Sequence, residues 1–176
     1  MVKINPFLLA CWLALALLTP AGAAPGDPLA TAQQLFDQRH FSDALKAIDS
    51  TPAAQALAPR RLFLRGLILT ELGRRDEAMA NFKKLTIDYP ELPEPYNNLA
   101  VLQAQAGQFD QARASLELAV RLQPSNPMAL ENLGDLYLRL AMQAYDHARQ
   151  LNPKAVGAQR KREALRALAP ASDSAR

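Results

Sequence analysis

Two histidines, one cysteine, and a scatter of carboxylates and arginines are the first side chains to test for chemistry. A histidine acts as a metal ligand or a general base only with a partner set at a defined spacing, as in HExxH. His40 and His147 have no such partner, and both read as surface residues. No glycine-rich phosphate loop and no GxSxG nucleophile turn occurs. Cys11 is the only cysteine, so neither an intramolecular disulfide nor a cysteine-based metal site can form. The acidic residues are scattered near Lys and Arg, as on solvated helix faces. The Arg60-Arg61-Arg65 and Arg74-Arg75 groups lack the interleaved aromatics that stack on bases, Phe63 apart. The expectation is therefore a non-enzymatic protein with no catalytic, cofactor or metal site and no nucleic-acid partner.

The elements that carry these residues come next. The 176 residues hold 20 Lys+Arg against 17 Asp+Glu, a net charge of +3, with 49% hydrophobic and only 6% aromatic residues. Ala and Leu supply most of the apolar content, which favours helix. The N-terminus reads as a processing signal. Lys3 and the α-amino group precede a 12-residue apolar run, Phe7 to Leu18. Thr19-Pro20 break the run, and Ala21-Gly22-Ala23 places small residues at −3 and −1 of a cut after Ala23. This is the layout of a secretory signal peptide, residues 1–23, and the run is short for a membrane span. The expected location is the periplasm or outside the cell, the alternative being a membrane anchor formed by an uncleaved signal. Leu8-Leu9-Ala10-Cys11 resembles a lipobox. Only four apolar residues precede its cysteine, however, and the run continues past it, which argues against lipidation. Cleavage would remove both Cys11 and Trp12, the only tryptophan, leaving a chain that tolerates an oxidising compartment.

Beyond residue 24 the chain repeats every 34 residues. Pro25, Pro59, Pro93 and Pro127 keep this spacing, as do the small residues Ala32, Gly66, Ala100 and Gly134. Ala44, Ala78 and Ala112 follow it, and so do Ile48, Phe82 and Leu116. Leu62, Tyr96 and Leu130 are in register, as are Gly73 with Gly107 and Pro90 with Pro124. Each unit reads as two helices. The large residue and the small one four later share a face of the first helix, and the small one admits the second helix closely. Gly73 and Gly107 end the first helix, Asp76 and Asp110 start the second, and Pro90 and Pro124 stop it.

This pattern resembles the tetratricopeptide repeat (TPR) family. Pro93 to Pro124 is a near-complete match, Pro59 to Leu92 a good one, and Pro25 to Ala58 a partial one, in which Pro52 cuts the second helix short. The resemblance implies an all-α fold, a superhelical solenoid of helix pairs: a degenerate repeat at 25–58, then repeats at 59–92 and 93–126. In such arrays the first (A) helices line a concave groove for a peptide or a partner helix. The groove positions implied here are Arg60, Phe63, Leu64, Leu67 and Glu71; then Asn97, Asn98, Val101 and Gln105; then Glu131, Asn132, Asp135 and Arg139. Asn98 and Asn132 share one repeat position suited to holding a peptide backbone. Arg60, Phe63 and Leu64 form a mixed basic and apolar patch for an amphipathic acidic ligand. The basic and Asn set of repeats that clamp a C-terminal carboxylate is not reproduced, since Glu94 stands where one basic residue would be.

The fourth repeat, 127–153, departs from the pattern. Ala141, Tyr145, Ala148, Leu151 and Pro153 match Ala112, Leu116, Ala119, Leu122 and Pro124 at a spacing of 29. The five missing residues are the turn, so one continuous helix is expected from about Met128 to Leu151. Its second half cannot fold back on its first. Leu140, Ala144, Tyr145, Ala148 and Leu151 therefore need a partner, either a capping helix at 154–169 with Val156, Leu165 and Leu168 inward, or a second copy or partner helix. Residues 147–176 hold seven Lys/Arg and two acids, while 24–146 are net acidic. The basic end suits an anionic membrane or cell-wall polymer, or is simply a solvated face. Pro170 to Arg176 reads as a disordered tail. Two functions stay open: an adaptor or scaffold that binds another envelope protein, or a structural protein that self-associates through residues 128–151.

Overall fold

A computed structural model describes residues 29–50 and 58–168. The expected signal peptide, its cleavage site and the tail at 170–176 lie outside the described residues. Within them the chain forms eight helices and no strand. The first compact unit contains α1 (Ala30–Asp37) and α2 (Phe41–Ser50). The second contains α3 (Ala58–Glu71), α4 (Arg75–Asp88), α5 (Pro93–Gln105), α6 (Phe109–Leu122), α7 (Pro127–Leu151) and α8 (Val156–Arg166).

The turns inside the helix pairs follow one rule. Gly73 and Gly107 adopt φ of 71° and 77°, the left-handed conformation that glycine enters without steric cost. The next amide then reaches back five residues, from Arg74 to the Leu69 carbonyl and from Gln108 to the Gln103 carbonyl. This closes the helix C-terminus. The α1–α2 turn makes the same bond, from His40 to the Leu35 carbonyl, but the left-handed position is held by Arg39, φ 62°. An L-residue pays about 1–2 kcal/mol there. Arg39→Gly is therefore expected to stabilise the first unit by about 0.5–1 kcal/mol. The gain is smaller than the steric relief because the Arg39 guanidinium, 5.5 Å from the Phe41 ring centroid, is lost with it. Chemical denaturation followed by exchange of the α1 and α2 amides would measure this.

The helix starts correct one expectation. Asp76 and Asp110 are not the capping residues. Arg74 and Gln108 occupy those positions, and the two aspartates lie in the first turns of α4 and α6, where they face the positive end of the helix dipole. α7 starts as its sequence suggests: the Asn126 side chain accepts from the Ala129 amide, and Pro127 takes the first helical position.

In the second unit the helices pack as successive antiparallel pairs, each against its neighbours. The α3–α4 pair is closed by Phe82, fully buried with Ile68, Leu69, Ala78 and Leu85. Its ring end lies where a side chain on Gly66 would begin: a Cβ there would come within 2.6 Å of Phe82 Cζ and 2.8 Å of Asn81 Nδ2. Asn81 is itself buried, and its amide donates to the Leu62 carbonyl at 2.6 Å, pinning α4 to α3. The next core, shared by α5, α6 and α7, is built around Ala100, Ala112, Leu116 and Leu136, with Ala104, Phe109, Leu133 and Leu140 packed on them. The Tyr96 hydroxyl donates to the Thr86 carbonyl at 3.2 Å, tying α5 to the end of α4.

α7 is continuous over its 25 residues, a length of about 37 Å. α8 turns back and packs on it. Two expectations fail here. Val156 and Leu168 do not point inward but are largely exposed, and the inward line is Ala158, Arg162 and Leu165. The i, i+4, i+7 spacing of these three puts them on one helix face, while Val156 falls opposite Ala158. Gly134, in register with Gly66, has nothing within 4 Å of a built Cβ, and Leu130, in register with Leu62, stays exposed. The deleted turn takes away the returning helix that these positions serve in the earlier repeats.

Candidate functional site

The expected groove residues lie on α3, α5 and α7, at equivalent places in successive repeats. Leu67, Val101 and Asp135 form one row, and Glu71, Gln105 and Arg139 the next. Arg60, Glu71, Gln105, Glu131 and Asp135 are exposed, and Phe63, Leu67, Asn98, Val101, Asn132 and Arg139 are half-buried. These positions recur along the three A helices, with apolar residues at Leu67 and Val101 and charged ones at Arg60, Glu71, Glu131, Asp135 and Arg139.

Two residues leave that face. Leu64 is 5% exposed and belongs to the core of the α3–α4 pair. Phe63 turns its ring onto Phe82, with centroids 5.8 Å apart in an edge-on arrangement. The mixed patch expected from Arg60, Phe63 and Leu64 is therefore not assembled as such, and only Arg60 is fully open. Asn97 is also buried. Its side-chain oxygen accepts from Asn132 Nδ2 at 2.9 Å, a bond between α5 and α7.

Asn98 and Asn132, equivalent in the sequence, do different work. Asn98 Nδ2 donates to the Glu94 carbonyl one turn earlier in its own helix, at 2.9 Å, while Asn132 ties two A helices together. The pairing of a buried amide with a half-buried one satisfies groups that would cost about 1–3 kcal/mol if left unbonded. Asn132 thus fixes the spacing of the groove's last two helices. Arg139 lies 5.7 Å from the Phe109 ring centroid and is held over it as a cation. Sequence reasoning missed Asn81. Its signal was a polar residue set between Ala78 and Phe82 on the inward face of α4.

The expected seam on the second half of α7 is divided. Leu140 packs into the core under α5 and α6, and Tyr145 is covered by Lys161, whose Nζ lies 5.8 Å from the ring centroid. These two need no outside partner. Ala148 is half-buried, while Ala144 and Leu151 stay exposed. Beside Tyr145, the Asp146 carboxylate forms an ion pair with Arg162 of α8. The Arg162 guanidinium, helped by Arg149, holds the carboxyl of Asp146 below its ordinary value. A lowered carboxylate pKa stabilises the folded state above the unfolded pKa, and this stabilisation is lost as the pH falls through the folded one. The protection of α8 amides, relative to their intrinsic exchange rates, is therefore expected to fall in acid, below the usual carboxylate range, and Arg162→Gln should remove that pH dependence. Tyr137 donates to Glu117 Oε1 at 3.1 Å, and this bond raises the pKa of its hydroxyl.

Among the described residues, no group of His, Cys, Asp and Glu is placed to hold a metal ion, and no helix is long and apolar enough to cross a membrane.

Comparison with known proteins agrees with this fold. Solved structures of similar fold include the first TPR of Spaghetti (RPAP3) bound to the HSP90 peptide SRMEEVD. It is 16% identical, with a TM-score of 0.60 over 65% of this chain and 90% of that one. The Yersinia enterocolitica type III secretion chaperone SycD, in complex with a peptide of the translocator YopD, is 18% identical, with a TM-score of 0.58 over 64% and 91%. MamA of Desulfovibrio magneticus RS-1 is 20% identical, with a TM-score of 0.59 over 81% and 85%. Two tetratricopeptide repeat profiles match residues 29–93 and 69–131, together covering more than half of the chain. With three helix pairs turning at equivalent positions and these matches across them, the chain belongs to the tetratricopeptide repeat family.

Proposed function

We propose that this protein is a non-enzymatic adaptor of the bacterial cell envelope that holds a segment of another protein along the A-helix face of α3, α5 and α7. The observation that carries this reading is the groove register. On three successive A helices Glu71, Gln105 and Asp135 are exposed and Leu67 and Val101 half-exposed, while the opposite faces of α3 and α5 are packed. An extended or helical segment laid on such a face meets an apolar step from two repeats and charged residues at the end. Two structures of similar fold were solved with peptides bound, which supports this use of the face. Envelope location rests on the 1–23 segment, with its basic start, apolar run and small-residue site, and on the absence of cysteine after Cys11.

The test is a photo-reactive amino acid placed at Val101 or Gln105 in living cells, with Lys84 on the exposed side of α4 as a control. The expected result is one envelope protein captured from the groove positions and not from Lys84, together with a mature N-terminus at Ala24. Capture of the same proteins from both faces would remove the groove assignment. An intact Met1 start in the cytosolic fraction would remove the envelope assignment.

A further inference from the structure

Leu130, Gly134 and Tyr137 occupy in α7 the places that Leu62, Gly66 and Leu69 occupy in α3. In α3 that line is covered by α4, with the Phe82 ring seated at Gly66. In α7 no helix covers it: Leu130 is 46% and Tyr137 48% exposed, only the Tyr137 hydroxyl being held, by Glu117 of α6, and Gly134 faces open space. The line continues through Ala141, Ala144 and Ala148 to Leu151, which is 77% exposed. The steps alternate between four and three residues, the 3.5-residue period of a seam between two helices.

We propose that this line is an interface with a second copy of the chain, the two α7 helices lying antiparallel about a two-fold axis near Ala141. The line is self-complementary, as an isologous contact requires. Read against its own reverse, Leu130 meets Leu151, Gly134 meets Ala148, Tyr137 meets Ala144, and Ala141 meets itself. The large ring falls against a small residue, and the small residues let the helices approach closely.

Charge points to the same arrangement. No charged residue lies on the line. Glu131 and Asp135, both exposed, flank its first half, and the same flank of its second half carries Arg149 and the docked α8 with Arg160, Lys161 and Arg166. In an antiparallel pair like flanks meet, so the acidic flank of each copy lies along the basic α8 of the other. The interface uses a different face of α7 from the Asn132 contact and shares only Glu131 and Asp135 with the candidate groove, so it does not rest on the adaptor reading.

Sedimentation equilibrium of the full chain is expected to show a reversible dimer that weakens several-fold at high salt, because the flanking contacts are screened. Ala144→Arg, at a position exposed within one chain, should weaken dimerisation at least tenfold while leaving the helical circular dichroism unchanged. In chains carrying Cys11→Ser, a mixture of Leu130→Cys and Leu151→Cys should oxidise to a mixed disulfide dimer, and Leu130→Cys alone should not. A monomer mass at every concentration, an Ala144→Arg chain that dimerises like the parent, or self-linking of Leu130→Cys would each overturn the proposal. So would a monomer whose Tyr137 line cross-links to a different protein in cells, since that makes the occupant foreign. Groove capture at Val101 reads out separately, so either reading can fail alone.

Discussion

Replacing Phe82 with alanine is expected to destabilise the α3–α8 unit by about 3–5 kcal/mol. The ring is fully buried and is the largest such side chain among the described residues. It fills the space above Gly66 and stacks edge-on with Phe63, so its removal leaves a cavity walled by two helices that cannot close up. α4 cannot slide inward either, because Asn81 holds it to the Leu62 carbonyl. Urea denaturation should show a lower midpoint with an unchanged slope. A slope that falls as well would mean that the repeats no longer unfold together.

Gly66→Ala is the converse experiment and is expected to cost about 1–3 kcal/mol by overpacking. The new methyl would lie 2.6 Å from Phe82 Cζ and 2.7 Å from Cε1, and neither the ring nor Asn81 has room to retreat. Gly134→Ala is the internal control. With nothing within 4 Å of its Cβ, the change only replaces a poor helix former with the best one, and a gain of about 1 kcal/mol is expected. The two large effects should also be coupled. In a Phe82→Ala chain the space that rejects the methyl is gone, so the Gly66→Ala cost should shrink by at least about 0.5 kcal/mol relative to the parent. If the two losses simply add, the close approach of ring and glycine is not why Gly66 is there.

These same residues show what the sequence makes legible. A 34-residue spacing locates the turns inside α3–α4 and α5–α6, because turns depend on local backbone chemistry: Gly73 and Gly107 take the left-handed conformation at equivalent places. The missing turn between α7's two halves was equally readable, since the loss of five residues with neither Gly nor Pro from Asp135 to Asn152 leaves a helix nothing to stop it. What periodicity does not convey is whether a neighbour is present. Gly66 and Gly134 are the same residue at the same repeat position, yet one is crowded and the other bare. Leu64 went astray for a related reason. α3 is apolar nearly all the way round, through Leu62, Phe63, Leu64, Leu67, Ile68 and Leu69, so the face that looks into the groove depends on packing that the helix's own pattern does not encode. Asn97 looked like a surface amide because the bond that lets it stay buried comes from Asn132, 35 residues away.

The uninterrupted α7 also has a mechanical consequence. Its first half is clamped by α5 and α6 through Leu133, Leu136 and Leu140, and its second half projects beyond that clamp carrying α8. The 11 residues from Leu140, the last clamped side chain, to Leu151 form a lever arm of about 16 Å. A bend of roughly 5° at its base would swing the tip by about 1.5 Å, and the basic face of α8 travels with the tip. A small change of angle at the edge of the clamp would thus be geared up into a larger displacement of α8.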